Sequence, residues 1–469
     1  MDDRIRELLR QIPSMESLLS EPWVLDFETV LGRPAVKGIF SDIIGELRKS
    51  IIQGMEPGID VEWIRSEALK RVSSHSKRSL RSVVNATGVV IHTNLGRSCL
   101  CDAALNAVAE CASSYSTLEF DLSTGERGHR NDHVEWLLCQ VTGADAAIVV
   151  NNNAAAVMLC LSVLVPGKES IVSRGELVEI GGSFRIPDIM SASGTKLVEV
   201  GTTNRTHLRD YEKAVNDNTG MILKVHPSNF RIVGFHSEVS REDLASLARE
   251  KDLVFMEDLG SGFLLETAAF GLKGEASVMD CILAGVDIVT FSGDKMLGGP
   301  QAGIVAGRSQ VIDRLRKHPL MRAFRPDKMT LAALEATLRE VLAGRLQEIP
   351  TLAMISASPE TLARKAKGLA KRLKKKHPDF HFTTMEAEDA VGGGSYPEIP
   401  LPGYAVSIGH PSFSSGFLKK AFLGYETPVI TETKEGQVLL HVRTLLDGDE
   451  VLIGRALEGI GARNEESVT

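Results

Sequence analysis

Two residues of the chain, Asp258 and Lys295, have the types and the spacing for chemistry on a flat, nitrogen-containing ring. Asp258 lies in LVFMEDLGSG and Lys295 in DIVTFSGDK, so each residue stands at the end of a strand-like apolar run. A lysine amine forms a Schiff base with an aldehyde, and a carboxylate keeps a pyridine nitrogen protonated so that the ring accepts electrons. A unit charge pair at ~4 Å contributes up to ~4 kcal/mol at an effective dielectric constant of about 20. The two residues therefore predict a pyridoxal phosphate site.

The phosphate of such a cofactor needs backbone donors, and the run VVNNNAAAVM offers them. A strand is predicted to end at Val150, and a helix of small residues follows the three asparagines. Free N–H groups and the helix dipole favour an anion at that point. Asn152, Asn153 and Ala154 are the predicted phosphate contacts, and the hydroxyl of Ser292 is a further candidate. Taken alone, an asparagine-rich turn indicates only a helix cap.

Glycines surround the lysine in SGDKMLGGPQAG. Gly293 precedes Lys295, and Gly298 and Gly299 follow it. The missing side chains predict space for a cofactor ring and a substrate. An isolated Gly-Asp-Lys is more often an ordinary surface turn, and its combination with Asp258 and the asparagine turn is what favours a site.

The elements that must position these residues form an alternating pattern from about Asp145 onward. The strand candidates are DAAIVVNNN, ESIVSRGEL, KLVEVGTTN, MILKVHPSN, LVFMEDLGSG, DIVTFSGDK and QAGIVAG. Helical or crossover lengths lie between most of them, which predicts a wound, mostly parallel α/β sheet. Ligands of such sheets gather beyond the carboxyl ends of the strands. We expect one crevice to collect the polar residues at those ends, which are Asn151 to Asn153, Glu176, Thr202, His226, Asp258 and Lys295. His226 is thus a candidate cofactor-binding residue.

The segments on either side of this core have different patterns. Apolar residues at helical spacing in IRELLRQI, FSDIIGELRKSII and VEWIRSEALKRV predict a helical N-terminal domain over residues 1–81. The core is predicted to span residues 82–349. A small α+β domain is predicted for residues 350–469, where YAVSIGH and GQVLLHVRT are strand candidates. We interpret VGGGSYPEIPLPG, which begins at Val391, as a mobile hairpin connection.

Composition limits the class of protein. The longest apolar stretch, from Ala154 to Val165, is too short to span a bilayer, and the N-terminus MDDRIRELLRQ lacks a secretory signal. The 6 cysteines form no paired framework, which is typical of reduced thiols. We therefore expect a cytoplasmic protein with no membrane partner. The motifs of dinucleotide-binding and P-loop proteins are also missing from the sequence.

The net charge of −8 disfavours general attraction to polyanions, so contact with RNA would need local basic patches. One candidate patch lies between residues 65 and 81 and contains Lys70, Arg71, Lys77 and Arg78. A second is RKAKGLAKRLKKK, residues 364–376. A solvated helix face is the alternative interpretation of both.

Eight sequence runs carry a resemblance to a known protein family. They are TGVVIHTNLGR, RGHR, IVVNNNAAAV, VSRGELVEIGGSFRIPD, VGTTNRTH, DLGSG, FSGDKMLGGPQAG and HPLMRAFRPDKMTLAALEATL. From Asn85 to Leu342 they make the chain resemble the bacterial L-seryl-tRNA(Sec) selenium transferases, or selenocysteine synthases. The resemblance implies a fold type I pyridoxal phosphate-dependent transferase with a seven-stranded, mostly parallel sheet. Lys295 matches the family's Schiff-base lysine, and we expect its free amine to act as the base for the Cα proton.

In that family, seryl-tRNA(Sec) becomes selenocysteinyl-tRNA(Sec) through an aminoacrylyl intermediate, and selenophosphate is the selenium donor. Arg97, Arg322 and Arg325 match arginines that the family uses near the donor, and a guanidinium binds phosphate-like oxygens bidentately. A structural ion pair at a subunit interface is the alternative for Arg322 and Arg325. Arg127 and Arg130 are further candidates without an assigned role.

The resemblance also implies that the N-terminal domain binds the tRNA and that the chain forms a homodecamer, a pentamer of dimers. Two other hypotheses stay open. One is a pyridoxal phosphate-dependent lyase that acts on a small phosphorylated amino acid or amino-sugar acid. The other is an RNA-binding protein with a vestigial cofactor site, against which the intact Lys295 and Asp258 argue.

Overall fold

The computed structural model describes residues 3–55, 58–180, 184–227, 229–230, 232–264, 272 and 275–466. The chain divides into two compact units, Met1–Ser82 and Val83–Thr469. A further division of the second unit near residue 349 remains a prediction.

The first unit is helical, as the spacing of its apolar residues predicts. Its helices in the described residues are α1 Asp3–Gln11, α2 Met15–Leu19, α3 Val24–Leu31, α4 Arg33–Ile52 and α5 Val61–Ser76. The Ser14 and Asp60 side chains accept first-turn amides and cap α2 and α5. Apolar side chains such as Phe40 and Ile64 form one buried cluster inside this unit.

The second unit contains strands and helices in alternation. Its strands are β1 Val84–Ala86, β2 Val89–Ile91, β3 Ala146–Val150, β4 Glu169–Ser173, β5 Glu179–Ile180, β6 Phe184–Arg185, β7 Lys196–Val200, β8 Thr219–Val225, β9 Val254–Gly260, β10 Ile288–Ser292, β11 Gly303–Gly307, β12 His381–Gly392, β13 Ser395–Gly409, β14 Val429–Lys434 and β15 Gln437–His441. Its helices are α6 Asp102–Ser113, α7 Glu135–Thr142, α8 Asn153–Leu164, α9 Ile186–Ala192, α10 Leu208–Ala214, α11 Arg241–Glu250, α12 Val278–Leu283, α13 Ser309–Arg316, α14 Leu320–Phe324, α15 Lys328–Leu342, α16 Pro350–Ser356, α17 Pro359–Lys376, α18 Ser415–Leu423 and α19 Asp449–Glu466. In the described part of the chain, none of the helices combines the length and the apolarity that a membrane crossing requires.

A seven-stranded sheet in the order β3-β11-β10-β9-β8-β4-β7 forms the centre of the second unit. The strand candidates of the alternating region all lie in it. Strand β11 runs antiparallel to β3 and β10, and the other neighbours are parallel. Strands such as AAIVV of β3 are buried along their whole length, as expected for a sheet covered on both faces. The predicted mostly parallel sheet is confirmed.

The register of this sheet brings the predicted site residues to one edge. Asp258 of β9 lies level with Val225 of β8 and with Thr290 of β10. Val150, the last residue of β3, lies opposite Gly303, the first residue of antiparallel β11. The start of α8 and the ends of β8, β9 and β10 therefore share the edge where ligands of wound sheets bind.

A six-stranded sheet in the order β1-β14-β15-β13-β12-β2 occupies the rest of the unit. It contains the strand candidates YAVSIGH and GQVLLHVRT, and its core includes the apolar face of α17. Residues 391–403, interpreted as a mobile hairpin connection, do belong to a hairpin, and most of them lie in its strands. Strands β12 and β13 form one hairpin, and residues from Ser395 onward pair with β12, so backbone hydrogen bonds hold most of this segment.

Candidate active site

Lys295 lies in the loop between β10 and β11, where it is only 8% exposed. Burial lowers the pKa of its amine because the charged form loses its water, and the charges of Asp258 and Asp294 oppose this shift. The neutral amine is the form that attacks an aldehyde. Both the buried position and the lowered pKa of Lys295 suit Schiff-base chemistry.

The carboxylate of Asp258 is enclosed at the end of β9. Its Oδ1 accepts hydrogen bonds from Nδ2 of Asn153 at 2.8 Å and from Oγ1 of Thr290 at 3.0 Å. Burial raises the pKa of this carboxyl, and the two hydrogen bonds and the charge of Lys295 oppose the rise. A buried carboxylate is stable only with compensating charge nearby, and a protonated ring nitrogen supplies that charge.

Two buried atoms beside Asp258 have no hydrogen-bond partner among the residues that the structure describes. They are Oδ1 of Asn153 and Nε2 of His226. The amide of Asn153 is held by Asp258, and the backbone N–H of His226 donates to the carbonyl of Asp258 at 2.9 Å. A carboxylate oxygen of Glu275 lies 3.5 Å from the His226 nitrogen, which is long for a hydrogen bond. Because buried polar atoms are normally paired, these residues fit a polar ring bound beside Asp258.

The asparagine turn is built as a helix start. The side chain of Asn152 caps α8 by accepting the amide of Ala155 at 2.9 Å, so the capping interpretation holds for this side chain. The first-turn amides, beginning with those of Asn153 and Ala154, are the donors left for an anion. Ser292 ends β10 at the same edge of the sheet and is buried. Contact of these residues with a phosphate remains a prediction.

The glycines around Lys295 serve close packing, so the expectation of open space was wrong. A Cβ at Gly293 would lie 2.6 Å from the carbonyl oxygen of Pro300. Gly298 has a φ of +73°, and a Cβ there would collide with Cγ2 of Ile349. The loop can fold back on itself and against the chain near residue 349 only because these side chains are missing.

Arg97 is brought to the Lys295 loop. Its Nη1 lies 2.5 Å from Oδ2 of Asp294, the residue that precedes Lys295. The hydroxyl of Ser98 donates to the carbonyl oxygens of Asp294 and Lys295, each at 2.9 Å. Sequence reasoning missed Asp294 and Ser98, although both are direct neighbours of residues that it selected.

Arg325 belongs to a second group of charges. It shares the carboxylate of Glu119 with Arg127 and Arg130, at 3.1, 2.8 and 2.7 Å. The Arg130 hydrogen bond is the main reason why the pKa of Glu119 is lowered. The carbonyl oxygen of Phe324, the residue before Arg325, accepts the amide of Asn151 at 2.8 Å. The end of α14 therefore lies against the end of β3.

The remaining candidates are placed differently. Arg322 is exposed on α14, and its side chain makes no hydrogen bond or ion pair with any described residue. Glu176 binds Lys224 at 3.1 Å, and the hydroxyl of Thr202 donates to the carbonyl of Arg205 at 3.0 Å. The expected single crevice thus gathers the asparagines, His226 and the Asp–Lys pair, whereas Glu176 and Thr202 have partners of their own.

Two residues of the first basic patch form ion pairs within the helical unit. Arg71 bridges Glu46 at 2.6 Å and Glu67 at 3.3 Å, which raises the pKa of Arg71. Lys70 also pairs with Glu67. Lys77 and Arg78 form no ion pair within the described residues. In the second patch, α17 buries its leucines in the core of the six-stranded sheet and turns its basic face outward.

The chain matches the family model described as L-seryl-tRNA selenium transferase over residues 83–446. It belongs to that family. A second model, the N terminus of selenocysteine synthase, matches residues 9–48. The L-seryl-tRNA(Sec) selenium transferase of Clostridium perfringens is 47% identical over 461 residues, which cover 98% of this chain and 100% of that protein. The L-seryl-tRNA(Sec) selenium transferase of Nitratidesulfovibrio vulgaris is 48% identical over 463 residues. These residues cover 97% of this chain and 99% of that protein.

A solved structure of D-glucosaminate-6-phosphate ammonia-lyase has the same fold, with a TM-score of 0.58 at 19% identity. The matched region covers 82% of this chain and 96% of the lyase. The predicted fold class, that of the fold type I pyridoxal phosphate enzymes, is confirmed. As a member of the L-seryl-tRNA selenium transferase family, the chain is a pyridoxal phosphate-dependent transferase, which agrees with the enclosure of Lys295 and Asp258.

Proposed function

We propose that this transferase converts L-seryl-tRNA(Sec) to L-selenocysteinyl-tRNA(Sec) with selenophosphate as the selenium donor. The observation that carries the proposal is the buried pair of Lys295 and Asp258 in a chain whose relatives of that name match along its length. Bound pyridoxal phosphate supplies an electron sink for bond breaking at Cα and Cβ of the seryl group.

Lys295 would hold the cofactor through Nζ and, once released, move the proton at Cα. Burial lowers the pKa of its amine, which favours the neutral form that accepts a proton. Asp258 and Asp294 favour the ammonium that results. The same proton can then return to Cα when the product forms.

The residues around Asp258 would position the cofactor. Asp258 would keep the ring nitrogen protonated, and Asn153 and Thr290 orient its carboxylate. The amides at the start of α8 and the hydroxyl of Ser292 would bind the phosphate. His226, whose Nε2 lacks a hydrogen bond among the described residues, would meet a polar group of the ring.

Arg97, Arg322 and Arg325 would bind the selenophosphate anion. Asp294 orients Arg97 and Glu119 orients Arg325, and each guanidinium has further N–H donors for a second acceptor. Arg322 precedes Arg325 by three residues and has an exposed side chain. A divalent anion held by three arginines would stay close to the carbon that it attacks.

The experiment that tests this function is an absorbance spectrum of the purified chain, of Lys295→Ala, and of Lys251→Ala as a surface-lysine control. We expect a Schiff-base band in the wild type and the control that is lost in Lys295→Ala. Seryl-tRNA(Sec) should shift the band, and other seryl-tRNAs should not. A band that responds to small amino acids and ignores tRNA would favour the lyase.

We also propose that the helical unit binds the tRNA, that the chain assembles as a pentamer of dimers, and that it works in the cytoplasm. The match of residues 9–48 to the selenocysteine synthase N terminus supports the first point. Sedimentation of the full chain, whose mass is 50.8 kDa, tests the assembly. A dimer that does not associate further would contradict the decamer.

A further inference from the structure

A cavity of about 300 Å³ lies at the carboxyl ends of β4, β7 and β8. This volume is at the lower limit of the range for sites that take small organic ligands. Of the described residues that line it, His226 is the one assigned above to the cofactor. The cavity therefore adjoins the cofactor site and continues beyond it.

Two cationic side chains of the cavity wall, those of Lys224 and Arg241, are already paired. Lys224 binds Glu176 at 3.1 Å and Glu238 at 3.0 Å, and Arg241 binds Glu257 at 2.7 Å. Because carboxylates already bind these two cations, this side of the cavity offers little to a free anion such as the selenium donor. This side of the cavity suits a neutral group that has hydrogen-bonding edges, such as a base.

Another part of the lining is apolar. Phe230 and Ile232 contribute from the segment after β8, and Pro397 and Ile399 contribute from β13. Such a combination of apolar faces with a few polar groups is typical of sites that bind a base and its sugar.

An aromatic residue and an arginine stand beside the cavity. Phe235 is 83% exposed, and the guanidinium of Arg205, which lines the cavity, lies 5.9 Å from the centre of its ring. Nδ2 of Asn204 donates to the carbonyl of Phe235 at 2.6 Å and holds this segment in place. Exposed aromatic rings next to arginine are the usual platform for unpaired nucleotides.

We propose that the cavity binds the 3′-terminal adenosine of the aminoacylated tRNA, and that Phe235 and Arg205 contact the nucleotide before it. The proposal rests on the proposed function. In an aminoacyl-tRNA the amino acid is esterified to the terminal ribose, so that nucleoside must lie one ester linkage from the reacting carbon. A cavity that shares His226 with the cofactor site meets this requirement.

The test is the binding of a fluorescein-labelled CCA trinucleotide to the full, cofactor-loaded chain, followed by fluorescence anisotropy. Loss of one stacked base weakens binding ~5- to 150-fold, and we expect this loss for Phe230→Ala and for Phe235→Ala. Phe417→Ala is the matched control, because Phe417 is exposed to a similar extent (42%, against 37% for Phe230) and lies on α18, outside the cavity lining. The same two variants should raise KM for seryl-tRNA(Sec) with little change in kcat.

Three results would overturn the proposal. They are no binding of CCA by the wild type, equal binding by all variants, and dissociation of the assembly by Phe235→Ala, which would make this surface a subunit contact. Failure of the proposed function is distinguishable, since the wild type would then bind CCA without converting seryl-tRNA(Sec). If Phe230→Ala and Phe235→Ala turned over seryl-tRNA(Sec) with unchanged KM, the adenosine site would be rejected and the proposed function would stand.

Discussion

Two buried clusters of acidic and basic side chains lie in the same unit, and they differ in how completely they are paired. In the six-stranded sheet, His441 places Nδ1 2.7 Å from Asp389 and Nε2 2.7 Å from Glu432. Arg443 binds Asp389 at 2.8 Å and donates its other N–H groups to backbone carbonyl oxygens, including that of Pro402. Each ring nitrogen of His441 and both Asp389 oxygens therefore have a partner within the protein.

The cluster of Asp258, Asn153 and His226 at the seven-stranded sheet is less completely hydrogen-bonded. Asp258 is buried without a hydrogen bond from a charged group in the described chain, and atoms of Asn153 and His226 remain unpaired there. A complete cluster is costly to break and has nothing left to offer a ligand. An incomplete one gains its missing partner when the ligand binds, which is how a site differs from a structural network.

The largest expected effect comes from Lys295→Ala. We expect turnover of seryl-tRNA(Sec) to fall by ~10⁴-fold or more, because the variant loses both the covalent link and the base. The thermal unfolding midpoint of the cofactor-free chain should stay the same or rise, since burial disfavours the charged amine. Parallel kinetic and unfolding measurements check both halves. A cofactor-free variant that is much less stable would place Lys295 with the structural cluster.

Arg443→Met should show the opposite pattern. Removing one partner from a buried ion pair typically costs ~3–5 kcal/mol, and Asp389, which is fully buried, would keep only His441. We expect a clear loss of stability in thermal unfolding, and kcat close to the wild-type value for the protein that stays folded. Arg372→Met, at an exposed ion pair, is the control with an expected loss below ~1 kcal/mol. A small loss for Arg443→Met would show that the network is dispensable.

At the seven-stranded sheet, Asp258→Asn should lower turnover without lowering stability. Without a negative charge at the ring nitrogen we expect turnover to fall ~10²-fold, in line with the loss of a charge pair of a few kcal/mol. Because burial raises the pKa of Asp258, the neutral amide should leave the cofactor-free chain as stable as before or more stable. Turnover and unfolding of the cofactor-free variant provide the comparison. Normal turnover would remove Asp258 from the mechanism.

The charge of His441 should make the stability of the chain depend on pH. A neutral imidazole has one N–H, so two carboxylates at 2.7 Å require the charged form of His441. Burial alone would lower its pKa, but Asp389 and Glu432 outweigh burial and raise the pKa of His441. This contribution is complete below the ordinary histidine value of about 6.5, and it is lost as pH rises through the folded value.

We therefore expect unfolding to become easier from pH 6 to 9 by ~1.5–3 kcal/mol, the contribution of hydrogen bonds to a charged group. His441→Gln should remove this pH dependence, and the comparison needs only thermal unfolding at several pH values. An identical pH dependence in wild type and variant would mean that other groups cause it.

The comparison also explains what could be predicted from the sequence. Strands buried on both faces read as apolar runs, and amphipathic helices have a clear period, so both were found from the pattern alone. Lys295, Asp258 and Asn153 were found because each follows such a strand. The edge of the sheet at which they meet is fixed by its parallel connections.

Partners across the fold could not be found in this way. Arg97 and Asp294 are 197 residues apart, and Asp389 and Glu432, the partners of His441, come from strands whose register no local pattern fixes. The glycines near Lys295 were misread for the same reason, since the atoms that require them belong to Pro300 and Ile349. Spacing identifies the strand that ends in a functional residue, but it does not identify the group across from it.

Thr290 is the sharpest test of this view, because a β-strand places it on the same face as Ser292, yet its bond to Asp258 became visible only in the structure. Thr290→Val keeps the shape of the side chain and removes one hydrogen bond from the carboxylate, a change of about 1 kcal/mol. We expect turnover to fall about fivefold. The acidic side of the pH profile should move to higher pH, because the hydroxyl opposes the raised pKa of Asp258. Thr290→Ser should restore both properties, since it returns the donor. A loss of activity that serine does not restore would mean that Thr290 acts through packing.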